Sequence, residues 1–370
     1  MCAKAVDIGA CFLVGAELKD GKEVFTMERD AFFSMPNEDF AEDMLTKSGA
    51  FYIIKGDQIY VVSEDALKFS MVTGNQKDYR RPMAKGVLNP GEEEAISMME
   101  VLLEAVVGKP NYQGEVITAT MPANPVDADF DVTFHRMVLE RFLTKLGYDV
   151  KCINEALCII YAENPTVTIG NEVLPFTGIG ISFGAGMVNM AASWRAKKLI
   201  EFSCGRSGDW IDQQVAKVRS VPVSKVQSHK EKYLNFDRID PTDQIMVALE
   251  IYYEDLTRYV LEHFKQQIRH ANATIDEPVE IVVAGGTSKP PGFVDRFKRI
   301  LREVELPIPI KGVRHAKDPL KAVAAGALIA SISEEKRRKA KPAAEDAPAK
   351  GAAPAKAGKA RAEGDVPLIS

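Results

Sequence analysis

Metal-binding and redox signatures are missing from this chain of 370 residues. Its five cysteines (Cys2, Cys11, Cys152, Cys158, Cys204) have no CxxC spacing, and an odd set of this kind reads as buried thiols in a reducing cytoplasm. The five histidines are scattered, with neither HExxH nor HxH spacing, so no protein-held metal site is expected from them. No run of about eighteen apolar residues exists, which excludes a simple transmembrane helix. The first apolar segment begins by Ala5, so no signal peptide is expected. A formal net charge of -5 advertises neither nucleic acid nor an anionic membrane as a partner. What is present is 46% apolar residues, enough for a large core and two domains.

Apolar runs alternate with helical periodicity along most of the chain. Residues Ala5–Leu18 read as a strand, a turn and a second strand, and Tyr52–Val62 as a hairpin around Lys-Gly-Asp-Gln. Asn37–Lys47 has helical spacing, capped by Asn37 or Glu38. A helix from Pro90 to Val107 is expected to carry Glu92, Glu93 and Glu94 in its first turn, where the helix dipole favours anions. A strand at Val116–Met121, a helix at Asp129–Leu146 and a strand at Val150–Ile153 follow. The second half repeats the logic: strands at Gly178–Ser182, Val188–Ser193 and Leu199–Phe202, a helix from near Trp210 and a long one over Asp243–Ala271. A buried parallel strand at Val279–Ala284 precedes a helix at Gly292–Val304. The last helix starts at Asp318-Pro319 and runs to about Ser333. This alternation predicts an α/β protein with mostly buried sheets.

From Glu334 the composition turns to Ala, Lys, Pro, Gly and Glu, too poor in apolar surface to offset chain entropy, so residues 334–370 are expected to be disordered. Nine basic and six acidic residues put this tail at +3 and the body at -8. Val366-Pro367-Leu368-Ile369-Ser370 is apolar again, either by chance or as a tethered docking peptide.

Four segments join an apolar run to an acid or to glycines: Val6-Asp7-Ile8-Gly9, Ile153-Asn154-Glu155, Ile181-Ser182-Phe183-Gly184-Ala185-Gly186, and Val282-Val283-Ala284-Gly285-Gly286-Thr287-Ser288. Glycine lets backbone N–H groups approach an anion closely. Their order and spacing resemble the actin-like ATPase superfamily, and the Arg80–Leu88 linker and compact first insertion look most like the bacterial MreB-like actins. The resemblance implies a two-lobed fold of duplicated ribonuclease-H-like domains around a nucleotide cleft. The first lobe would span 1–152 with a small insertion about 26–67, and the second 153–313 with a small subdomain about 205–270. The helix at 314–333 would return to the first lobe.

The resemblance also assigns roles. Asp7 would orient Mg²⁺ through water, with Gly9 and Ala10 forming the first phosphate turn; Glu155 would position the attacking water. Gly184, Ala185 and Gly186 would form the second phosphate turn, and Gly285, Gly286 and Thr287 the adenosine motif. Gly208 falls in the segment entering the second small subdomain. Lys230 and Glu231 are similar to a ribose- and adenine-contacting Lys-Glu-Lys, or else belong to a solvated helix face.

The loops depart from the usual pattern. Ala10, Phe12 and Leu13 replace side-chain donors, Ser182 replaces a cation-holding acid, and Met187 replaces a hydroxyl. Phosphoryl transfer depends on positioning and charge neutralisation, so ATP with Mg²⁺ is expected to bind and hydrolysis to be weak or absent. Two functions stay open. One is a cytoskeletal or scaffolding filament of head-to-tail subunits. The other is a non-polymerising ATP-binding adaptor, similar to the actin-like component of type IV pilus machinery, recruiting a protein partner through the tail. Membrane attachment is not expected, and no Asp stands in the context a small-molecule kinase needs.

Overall fold

The computed structural model describes residues 3–73, 78–169 and 172–340. Two five-stranded sheets share one topology. In the first, the strands Asp149–Asn154, Val116–Met121, Lys4–Ile8, Phe12–Lys19 and Lys22–Arg29 lie side by side in that order. In the second, the order is Ile310–His315, Val279–Ala284, Gly178–Phe183, Val188–Trp194 and Lys197–Cys204. Each sheet has three parallel strands followed by two antiparallel hairpin steps. The central strands are covered on both faces, and Val116–Met121 and Gly178–Phe183 are buried throughout.

After its outermost parallel strand, each half sends a helix to the other. Glu155–Glu163 packs on the second sheet and Ala322–Ala340 on the first, and the two helices pack on each other. A core of Ala5, Val14, Cys158, Ile159, Ala284, Val323 and Ala327 therefore belongs to both lobes. In the second lobe, Phe293, Phe297, Ile300 and Val304 line the inner stripe of the helix Phe293–Val304. Phe297 meets Phe183 edge-on at 6.2 Å between centroids. Burying one such ring contributes about 3 kcal/mol, and this ring braces the strand whose end enters the cleft.

Several elements depart from the expected outline. The small sheet of the first lobe takes in Phe32–Pro36, Tyr52–Lys55, Gln58–Val62 and Tyr79–Arg80, so it reaches beyond the insertion expected at 26–67. The acidic helix starts at Ala95: Glu92 accepts from Arg80 at 3.0 Å and Glu94 from Lys55 at 2.6 Å, and all three glutamates precede the helix. Neither Asn37 nor Glu38 caps the helix Asp39–Ser48 through its side chain.

Asp318-Pro319 forms a turn and not a helix start, because Gly285 N–H takes the Pro319 carbonyl at 2.8 Å; the helix begins at Ala322. At its far end this helix runs to Ala340, so residues 334–340 do not belong to the disordered tail expected there. Glu335 is buried and accepts from Tyr112 Oη and, at 3.1 Å, from Val116 N–H, while Arg338 pairs with Asp149. Tertiary partners hold a segment whose composition alone would not. The rest of the tail, with the apolar end at 366–370, lies outside the described residues.

Candidate functional site

A cleft of about 420 Å³ opens between the two sheets. Its wall includes Asp7, Gly9, Ala10, Glu155, Gly184, Ala185, Gly186, Lys230, Glu231, Gly285, Gly286 and Thr287, so residues from all four segments meet in one place. Gly208 stands behind the wall: its N–H donates to the Gly184 carbonyl at 3.2 Å, and a β-carbon on it would collide with Thr287 Oγ1.

Topological duplication makes the two glycine turns equivalent. Gly9 N–H donates to the Phe12 carbonyl at 3.1 Å, and Gly184 N–H to the Met187 carbonyl at 3.0 Å, closing four-residue turns at the same hairpin position. Each turn has its carbonyls held from outside. In the first, Ala10 accepts from Arg81 at 3.2 Å and Cys11 from Asp30 N–H at 2.9 Å. In the second, Gly184 accepts from Thr287 Oγ1 at 2.8 Å, and Ala185 from Asp209 N–H at 2.9 Å and from Ser207. In a planar trans peptide the N–H points opposite to the C=O of the same unit. The amides of Cys11, Phe12, Ala185 and Gly186 thus face away from these clamps. Gly285, at φ +90°, lies so near the Phe183 carbonyl that no side chain fits, which brings the segment Gly285–Ser288 flat against the second turn.

Two carboxylates form the base of the cleft. Asp7 is the last residue but one of the first strand and accepts from Thr120 Oγ1 at 2.8 Å. Glu155 opens its helix because Asn154 caps it, accepting from the amides of Ala156 and Leu157; Ser182 Oγ donates to Glu155 at 3.3 Å. Burial pushes Asp7 up to about 6, against the Thr120 hydrogen bond. Burial, reinforced by the Asp7 charge, pushes Glu155 up to about 8. Ser182 occupies in the second hairpin the place that Asp7 holds in the first, so the acid at the cleft base is single-sided.

At the other end Lys230 is not a solvated residue. Its ammonium is mostly buried and lies 2.7 Å from Asp212. Burial works to lower the Lys230 pKa, and the Asp212 charge outweighs it, holding the ammonium above its ordinary value. Burial raises Asp212 to about 6 in spite of Lys230. Asp212 Oδ1 and Tyr253 Oη are buried with no hydrogen-bond partner among the described residues. Glu231 is exposed along the same wall and accepts from Gln227 at 3.2 Å.

The sequence reading did not select Arg81, Thr120, Asp212 or Tyr253. The Asp209–Asp212 spacing, one helical turn, was a signal that could have found Asp212. For Arg81 no local signal exists, since its partner Asp209 is 128 positions away, and Tyr253 is marked only by the burial of its hydroxyl. Among the described residues, no three acidic, histidine or cysteine side chains cluster as a direct metal-ligand set.

No curated protein matches this chain in sequence. Among solved structures, the MamK double helical filament superposes with a TM-score of 0.64 at 17% identity, over 92% of this chain and 99% of that one. MreB 5 of Spiroplasma citri bound to AMPPNP gives 0.62 at 15% identity, over 91% and 98%. The ethanolamine utilization protein EutJ from Carboxydothermus hydrogenoformans gives 0.52 at 14% identity, over 89% of both chains. At such identities the likeness is one of fold, and that fold is the MreB-like actin fold. The Volactin family profile matches residues 2–331, and the chain belongs to the Volactin family.

Proposed function

We propose that this protein binds a purine nucleotide, ATP with Mg²⁺ in preference, in the cleft between its lobes and assembles head to tail into cytoskeletal or scaffolding filaments, hydrolysing ATP weakly or not at all. The observation that carries the reading is the pair of matched turns, whose carbonyls are clamped so that the amides of Cys11, Phe12, Ala185 and Gly186 are left for an anion. Solved structures of the same fold support it: MreB 5 of Spiroplasma citri is bound to AMPPNP, and MamK forms a double helical filament.

Gly285, Gly286 and Thr287 would flank the base, with Lys230 and Glu231 toward the ribose. A divalent cation suits the base of the cleft, where burial raises the proton affinity of both Asp7 and Glu155 and the Asp7 charge raises that of Glu155 further. Bound there through water, the cation would neutralise phosphate charge. Glu155 would hold a water in line for attack. Ser182 offers no charge where a second acid would share the cation's shell, and Phe12 and Met187 offer no side-chain donor, so the ligand is retained more readily than it is cleaved. The chain fits a cytoplasmic setting, its described cysteines Cys11, Cys152, Cys158 and Cys204 being free thiols. Among the described residues no helix is long and apolar enough to cross a membrane.

Sedimentation of the pure protein with ATP, ADP or no nucleotide, with each pellet viewed by electron microscopy, tests the filament. ATP-dependent filaments are expected. Protein that binds nucleotide yet stays soluble in all three tubes would favour the second reading, an ATP-binding adaptor that recruits a partner protein through the segment after Ala340. The loss of side-chain donors at Phe12 and Met187 is what speaks for that alternative.

A further inference from the structure

One continuous path of hydrogen bonds connects the two turns across the cleft. Arg81 belongs to the first lobe, on the segment returning from the small sheet. Its guanidinium donates to the Ala10 carbonyl of the first turn at 3.2 Å and grips both Asp209 oxygens, at 2.6 and 3.3 Å. Asp209 belongs to the second lobe, in the first turn of the helix Gly208–Arg219. Its backbone N–H donates to the Ala185 carbonyl of the second turn at 2.9 Å. The two turns are thus linked by two residues in series. The link is bidentate on the planar guanidinium and so fixes direction as well as distance.

The pair sits where a conformational device would need it. Arg81 and Asp209 line a small cavity of about 90 Å³ adjoining the main cleft, together with Asp30, whose own N–H holds the next carbonyl of the first turn. The two side chains keep 30% and 21% exposure, so water can reach them when the pair parts. A fully buried pair would be locked by the cost of stranding its charges, whereas one at this depth can open and close.

We propose that Arg81 and Asp209 form a latch that sets the spacing of the two turns, so that a change at one turn is transmitted to the other lobe. They are positioning residues that act through Ala10 and Ala185 and need not touch the ligand. The part of this proposal that concerns ligand retention rests on the nucleotide reading above; the mechanical coupling does not.

Hydrogen exchange of the full chain without nucleotide tests the coupling directly. Arg81→Ala is expected to speed exchange of the amides in Gly184–Val188, in the opposite lobe, by roughly tenfold. Asp209→Asn leaves the Asp209 N–H in place and is expected to speed Gly9–Leu13 in the same way. Arg81→Lys, which keeps the charge and loses the fork, should restore protection in part, and it carries the test if Arg81→Ala does not fold. The double variant should be no faster than either single one. An Arg81→Ala effect confined to the first lobe, or single effects that multiply in the double variant, would overturn the latch. Titrating wild-type protein with a fluorescent ATP analogue keeps the two readings apart. If it binds, release should speed in both single variants. If it does not bind, the nucleotide reading fails and the exchange result still decides the latch.

Discussion

Gly326 packs face to face with the backbone of Cys158: a β-carbon at 326 would overlap the Cys158 carbonyl oxygen. These residues lie on the two helices that each lobe sends across to the other, and at this point of the crossover no side chain fits between the backbones. The spacing of the lobes is set by the absence of a side chain.

Gly326→Ala should therefore destabilise the protein by about 3 kcal/mol or more, through overpacking against backbone that cannot move aside. In an unobstructed helix the same change would stabilise by about 1 kcal/mol. The sign of the shift in the urea midpoint decides the matter. Gly312→Ala, where an added carbon meets nothing within 4 Å, is the control.

Stability should fall as pH rises from about 5 to about 8. Asp7 and Glu155 have folded-state pKa values of about 6 and about 8, above their ordinary 3.8 and 4.5. In that window the folded chain holds protons that the unfolded chain has released, so folding takes up protons and is weakened by alkali. Near pH 4 the contribution vanishes. Glu155→Gln should be more stable than wild type at pH 8, by on the order of 1 kcal/mol, and equal to it near pH 4.5. Denaturant melts of both proteins at the two pH values would expose an error in the sign.

Ser182→Asp restores an acid at the position matching Asp7. It should raise Mg²⁺-dependent phosphate release by roughly tenfold or more, as the second half of the cation's shell is supplied. Without metal the variant should be less stable than wild type, because the new charge stands beside Glu155, to which Ser182 now donates at 3.3 Å. Unchanged phosphate release in the presence of bound nucleotide would show that the missing acid is not what limits hydrolysis.

Cutting the chain after Ser333 and after Ala340 should give different proteins. The longer one keeps Glu335 and Arg338 and should unfold like the full chain. The shorter one removes the acceptor of Tyr112 Oη and Val116 N–H and the partner of Asp149. A loss of about 2–4 kcal/mol follows from leaving the buried amide of Val116 unpaired and shortening the helix. Equal thermal midpoints for the two truncations would place the end of the folded body at Ser333 after all.

The chain's local pattern was enough for the α/β class and for picking out the four segments, while the two lobes around a cleft were implied by their resemblance to the actin-like superfamily. Val116–Met121 and Val279–Ala284 are short, mostly apolar and β-branched runs, and the Gly184 and Gly285 turns are written in glycine, so each is specified within a few residues. The replacement of an acid by Ser182 was equally plain, because it is a matter of identity at a position and not of contact.

Long-range partners decided the rest. Residues 334–340 are helical because Glu335 and Arg338 find Val116 and Asp149 across the fold, which composition cannot report. Asp318-Pro319 has the residues of a helix start, and Gly285 takes the carbonyl that would have begun it. Lys230 is buried only because Asp212 is there to neutralise it. Arg81 becomes significant only when the lobes close and place Asp209 beside it, 128 positions along the chain. Sequence fixes what each segment prefers on its own, since propensity and periodicity act over one or two turns of chain. Which carbonyls are clamped, which charges are paired and which glycines are indispensable depend on distances between segments remote in sequence, and folding alone sets those distances.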